Sequence, residues 1–149
     1  MEYNDFLIST PEEFEKIAKE YSKMLKNNSL KKIGEEVLGL INSLSFVYKI
    51  ILKNSRNQKL SNLIKPLNSP LPEESSKLSL LFETSCNATS PFFQPKNLFT
   101  LRNCVKVLIE KEAELVSKLV CSLPLVSSCQ IEKSISFHLD SIKILTKLI

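Results

Sequence analysis

The sequence predicts an all-α fold: a single-domain helical bundle of four to six helices, with proline-containing loops in its middle third. Three observations carry that expectation. Apolar residues recur in steps of three and four over several long stretches, the spacing that lines one face of a helix. Only two of the 149 residues are glycine, whereas sandwiches, barrels and phosphate-cradling loops depend on glycine for positive φ or close backbone approach. Three prolines and two glutamates crowd residues 66 to 76 and place an irregular connection, about 66 to 96, between the helical parts.

The longest apolar pattern runs from Ser29 to Lys53. Leu30, Ile33, Val37, Leu40, Leu44, Val47 and Ile51 alternate in threes and fours, and Leu38, Ile41, Tyr48 and Leu52 add a flanking stripe. A surface helix needs only one stripe, so this one is expected to pack on several sides at the centre of the bundle. It also holds both glycines, Gly34 and Gly39, although each costs a helix interior about 1 kcal/mol relative to alanine.

Taken in order, the chain opens its first helix at Thr10-Pro11-Glu12-Glu13. Threonine as the cap, proline in the first turn and glutamate three residues after the cap are start signals. Phe14, Ile17, Tyr21 and Met24 then share a face, and Lys26-Asn27-Asn28 breaks it. The preceding Phe6, Leu7 and Ile8 are expected to tuck against the bundle. After the central helix, Leu60, Leu63, Ile64 and Leu67 suggest a short helix, and Pro72 opens another through Leu78, Leu81 and Phe82. A long helix follows from about Asn97 to Leu123, stopped by Pro124. Its stripe is Leu98, Leu101, Val105, Leu108, Leu115 and Leu119, with Cys104, Val116 and Val120 beside it and Glu110, Lys111, Glu112 and Glu114 as a solvated shoulder. Ser127 or Ser128 caps a last helix with Ile131, Ile135, His138, Ile142, Leu145 and Ile149 along one side.

Composition excludes more than it selects. Hydrophobic residues make up 43% and charged residues 24% of the chain, which a wholly disordered protein would not show. The formal net charge is +4, but lysine supplies nearly all of the basic residues and arginine only Arg56 and Arg102, so nucleic acid is a disfavoured ligand. Cys86, Cys104, Cys121 and Cys129 form no close pair, which leaves no zinc or CxxC spacing and reads as reduced, structural thiols. Neither a signal peptide nor a membrane span is expected, so the protein should be soluble and intracellular, in cytoplasm or nucleus.

The candidates for chemistry are few. His138, the sole histidine, could act as a general base, or it could be a core residue satisfied by a hydrogen bond. Between Val37 and Pro72 there is no acid, and Lys49, Lys53, Arg56 and Lys59 gather there; they could bind an acidic ligand, or serve the negative end of the helix dipole. Phe92 and Phe93 lie between two prolines and could plug the core or dock a partner. Lastly, Leu30, Ile33, Gly34, Glu35 and Val37 set two apolar residues, a small residue, an acid and another apolar residue along one helix. This segment resembles the BH3 segment of the Bcl-2 family, with Lys26 where a further apolar residue would stand, glutamate in place of aspartate, and no counterpart of that family's Asn-Trp-Gly-Arg motif. The resemblance implies an apoptosis regulator in which Leu30, Ile33 and Val37 fill a hydrophobic groove and Glu35 pairs with a basic residue at its rim.

Taken together, these features predict a non-enzymatic protein-protein interaction module, an adaptor or subunit of an intracellular complex, with no cofactor and no metal. The expected partner is another protein, held through a helix-groove contact or as a second copy of the chain.

Overall fold

The computed structural model describes residues 3–26, 28, 30–54, 77–78, 100–125 and 129–149. Among these the fold is all-helical, with four long helices: α1 (Tyr3–Met24), α2 (Lys31–Asn54), α3 (Leu101–Ser122) and α4 (Cys129–Thr146). Each helix packs on two neighbours. α1 lies against α2 and α4, and α3 lies against the same two, so the bundle closes as a ring with α1 diagonal to α3. Neighbours run antiparallel throughout. Gly34 of α2 lies against Tyr21 and Met24 of α1, whereas Ile41 and Leu52 share a groove with Pro11 and Phe14. Between α2 and α3, Tyr48 meets Glu112 while Glu36 meets Lys118.

α2 is the helix the periodicity predicts, displaced by one or two residues at each end. Val37, Leu44, Val47, Tyr48 and Ile51 are buried, and Leu38, Phe46 and Leu52 pack on that core from the flanks. Burial of two stripes follows from contact with helices on both sides. Lys53 in the last turn complements the C-terminal end of the helix dipole.

α1 departs from expectation at its start. Thr10 is not an N-cap, because the helix begins seven residues earlier and Pro11 stands inside it. An interior proline forfeits a single intrahelical hydrogen bond, and its ring crowds the carbonyl four residues before it. Thr10 is buried, and Glu13 turns to Lys16, 3.3 Å away, rather than back to the cap. The predicted face of Phe14, Ile17, Tyr21 and Met24 is buried.

α3 starts four residues later than Asn97. Thr100 has extended backbone (φ −107°, ψ 163°) and its Oγ1 accepts the Asn103 N–H at 3.2 Å, the geometry of an N-cap. The helix closes where Pro124 withholds an N–H, with the Leu123 amide bonded to the Val120 carbonyl at 3.2 Å. On α3 the expected solvated shoulder is wrong in its middle. Lys111 and Glu112 are buried, and Glu112 is fully so. Cys104 is a core residue, whereas Cys121 is exposed.

α4 is rotated relative to its hydrophobic pattern. The buried line runs Ile131, Ser134, His138, Ser141, Leu145 and Leu148, again in threes and fours. Ile135 and Ile142 sit half-buried beside it, and Ile149 is exposed. Two serines thus take positions that hydrophobicity assigns to isoleucine; Ser141 satisfies its hydroxyl on the Phe137 carbonyl at 3.0 Å. The predicted short helices between 60 and 82 lie outside the described residues apart from Lys77 and Leu78, which are helical, and Leu78 is buried in the core.

The two glycines serve different ends. A Cβ on Gly34 would stand 3.1 Å from the Leu25 side chain and 3.2 Å from the Tyr21 carbonyl, so glycine there sets the approach of α1 to α2. A Cβ on Gly39 would meet nothing within 4 Å. Gly39→Ala should therefore raise stability by roughly 0.5–1 kcal/mol through helix propensity alone, seen as a higher urea midpoint with an unchanged slope.

Candidate functional site

Two features of the bundle carry chemistry: a polar cluster inside it and a groove on its surface. The cluster joins all four helices. Glu112 of α3 accepts the Tyr48 hydroxyl of α2 at 2.8 Å on one carboxylate oxygen and bonds Nδ1 of His138 of α4 on the other. Phe14 of α1 stacks on the imidazole with ring centroids 5.4 Å apart, and Phe137 meets it edge-on at 5.2 Å. Glu112, His138 and Tyr48 are at most 2% exposed.

Nε2 of His138 finds no hydrogen-bond partner among the described residues. A single ring proton on Nδ1, donated to the carboxylate, leaves that nitrogen a bare acceptor; the other tautomer would bury an N–H with nothing to receive it. The assignment leaves Glu112 with two donors, one per oxygen. A carboxylate buried in this way is held by its partners, and its partners by it. A smaller polar contact ties α1 to α3, where the Tyr21 hydroxyl bonds Ser122, whose own hydroxyl donates to the Leu119 carbonyl at 2.8 Å.

Burial pushes the Tyr48 phenol well above its ordinary value near 10, and the adjoining Glu112 carboxylate pushes it the same way. Burial also raises Tyr21, against the opposing pull of its Ser122 hydrogen bond. A phenol that ionises at higher pH in the folded state than in the unfolded chain contributes stability that is intact below pH 10 and lost as pH rises toward its folded value. Between pH 8 and 11 the urea midpoint should fall steeply above 10, at up to about 1.4 kcal/mol per pH unit for each such tyrosine. Tyr48→Phe should remove the larger part of that slope.

The groove lies between the middle of α1 and the C-terminal half of α2, with a volume of about 530 Å³. Phe14, Ile41 and Tyr48 form its floor, and Ala18 and Leu52 stand along its sides. Phe14 and Tyr48 therefore belong to both features, the polar cluster lying directly behind the groove. Glu12 and Glu15 stand on the α1 wall and Lys49 on the α2 wall, all exposed.

The residues singled out from the sequence are dispersed. Leu30 and Ile33 pack half-buried on the core, Val37 is fully buried and Gly34 abuts α1, so the BH3-like face is the one α2 turns inward. A partner taking that face would have to draw α2 away from α1. Glu35 is exposed and lies 4.0 Å from Lys31. In the basic cluster, Lys49 and Lys53 are exposed on the last turns of α2, and Lys49 lines the groove. Arg56, Lys59, Phe92 and Phe93 lie outside the described residues. Glu112, the partner of His138, and Tyr48, which bonds the same carboxylate, were missed. The available signal was a gap: on α3 the stripe skips from Leu108 to Leu115, and position 112 falls where an apolar residue is due.

At the surface, Lys118 bonds Glu36 at 2.9 Å across the α2–α3 contact, which lowers the Glu36 carboxyl and raises the Lys118 amine from their ordinary values. Both are more than a third exposed, so Glu36→Gln should cost only about 0.2–1 kcal/mol, and less in high salt.

The class that fold and site define is an antiparallel helical bundle, four long helices among the described residues, with a buried polar cluster and a surface groove. No sequence-family profile, no curated protein and no solved structure matches the chain. Among the described residues no helix is long and apolar enough to cross a membrane, and no group of three or more His, Cys, Asp or Glu side chains is placed to hold a metal ion.

Proposed function

We propose that the chain is a non-enzymatic protein-protein interaction module that receives a helical segment of a partner in the α1–α2 groove. The observation that carries this reading is the groove itself, an open apolar depression flanked by two long helices, the shape in which an amphipathic helix lays its apolar face. The side chains with catalytic potential support the same reading. His138 and Glu112 are enclosed in the core, bonded to each other, where they cross-link helices.

The test uses a designed amphipathic peptide of three to four turns, with leucines at i, i+4 and i+7, and the variant Ala18→Arg. Ala18 is only half-buried at the groove edge, so arginine there fills the groove and leaves the core alone. Binding should fall at least tenfold in Ala18→Arg while the urea midpoint stays within about 0.5 kcal/mol of wild type. Equal binding to both proteins would place the docking surface elsewhere.

A further inference from the structure

We infer that the occupant of the α1–α2 groove is a helix with oppositely charged flanks, basic along α1 and acidic along α2, and that these charges fix the direction in which it lies. This rests on the docking reading above and adds the partner's chemistry to it.

The two walls of the groove differ in sign. Glu12 and Glu15 rise from α1 on one side, and Lys49 rises from α2 on the other. Neither Glu15 nor Lys49 has an ion-pair partner among the described residues. Glu12 is held only loosely, 3.9 Å from Lys16 with 72% of its side chain exposed. Between the walls lies the apolar floor of Phe14 and Ile41. An exposed acid and an exposed base across an apolar strip can both be answered at once by a helix with leucines beneath, lysine or arginine on one flank and glutamate or aspartate on the other. On α1 the strip runs from Thr10 to Ala18, nine residues, or about 13 Å at 1.5 Å per residue. That length takes three anchors at i, i+4 and i+7. Turning such a helix end for end exchanges its flanks and sets like charges together, so the walls select one direction.

Three peptides of equal length and leucine spacing test this by titration: one with a lysine flank and a glutamate flank, one with lysine on both, and one with glutamate on both. The mixed peptide should bind roughly fivefold tighter than either of the others in low salt, with the advantage gone near 1 M salt. A nitroxide on its N-terminus should broaden amide signals at one end of the groove, near Thr10 or near Ala18. In the triple variant Glu12→Lys/Glu15→Lys/Lys49→Glu, which alters exposed side chains only, the broadening should move to the opposite end. Broadening that stays at the same end, or that marks both ends equally, would overturn the inference while leaving the groove reading intact. Failure of all three peptides to bind, or displacement of none of them by Ala18→Arg, would overturn the groove reading and this inference with it.

Discussion

Replacing Glu112 with alanine should destabilise the bundle by roughly 3–5 kcal/mol, the largest single-site effect expected in this protein. The carboxylate accepts the His138 Nδ1 proton and also receives the Tyr48 hydroxyl. Its loss removes the acceptor shared by two buried donors, on α2 and α4, and leaves a void between them. Glu112→Gln keeps the volume and one acceptor oxygen but points an amide toward one of the two donors, so a cost of about 1–3 kcal/mol is expected. The informative companion is Glu112→Leu/His138→Leu. If the cluster specifies helix pairing without adding much net stability, the apolar pair should recover most of what Glu112→Ala loses, since a buried polar pair is often matched by well-packed apolar residues. Urea unfolding followed by circular dichroism measures all three. A Glu112→Ala variant within about 1 kcal/mol of wild type would mean that water reaches the site readily.

The second large effect belongs to Gly34. Its backbone meets the Tyr21 carbonyl so closely that an added Cβ would lie 3.2 Å from that oxygen. A backbone carbonyl has no rotamer to adopt, so a larger side chain must push α1 off α2. Gly34→Leu should cost about 1–3 kcal/mol net of the propensity gained on leaving glycine. The same change at Gly39 meets open space and should stabilise. A pair of opposite sign, from one residue type in one helix, isolates packing from propensity. Gly34→Leu with an unchanged midpoint would show that α1 and α2 separate at little cost.

The helices of this fold were legible in the sequence because their buried faces repeat regularly. Phe14, Ile17, Tyr21 and Met24 line α1 as the spacing requires, and the seven-position pattern of α2 places its core contacts. What periodicity could not deliver was the polar interior. Glu112 reads as solvated because charge in a helix usually is, and only its partners on two other helices make burial tolerable. The rotation of α4 has a related cause: Ser134 and Ser141 are fully buried although hydroxyl groups carry little weight in a hydrophobic stripe. The start of α1 was misjudged because Thr10-Pro11 combines two N-terminal signals that the chain overrides.

The candidate site was harder to see. Attention to the first half of α2 followed from Gly34 and Glu35, but Gly34 is where α2 abuts α1. The groove lies along the second half, beside Lys49, and is formed jointly by two helices, a property no single stretch of sequence records. Of the candidate site residues read from the sequence that lie among the described residues, Lys49 alone borders it.

Hydrogen exchange of the full chain with and without the mixed-flank peptide tests the docking reading most directly. Added protection confined to residues 10–18 of α1 and 41–52 of α2 is the result expected of a helix seated in the groove. Protection centred on residues 30–37, or spread evenly over all four helices, would contradict it.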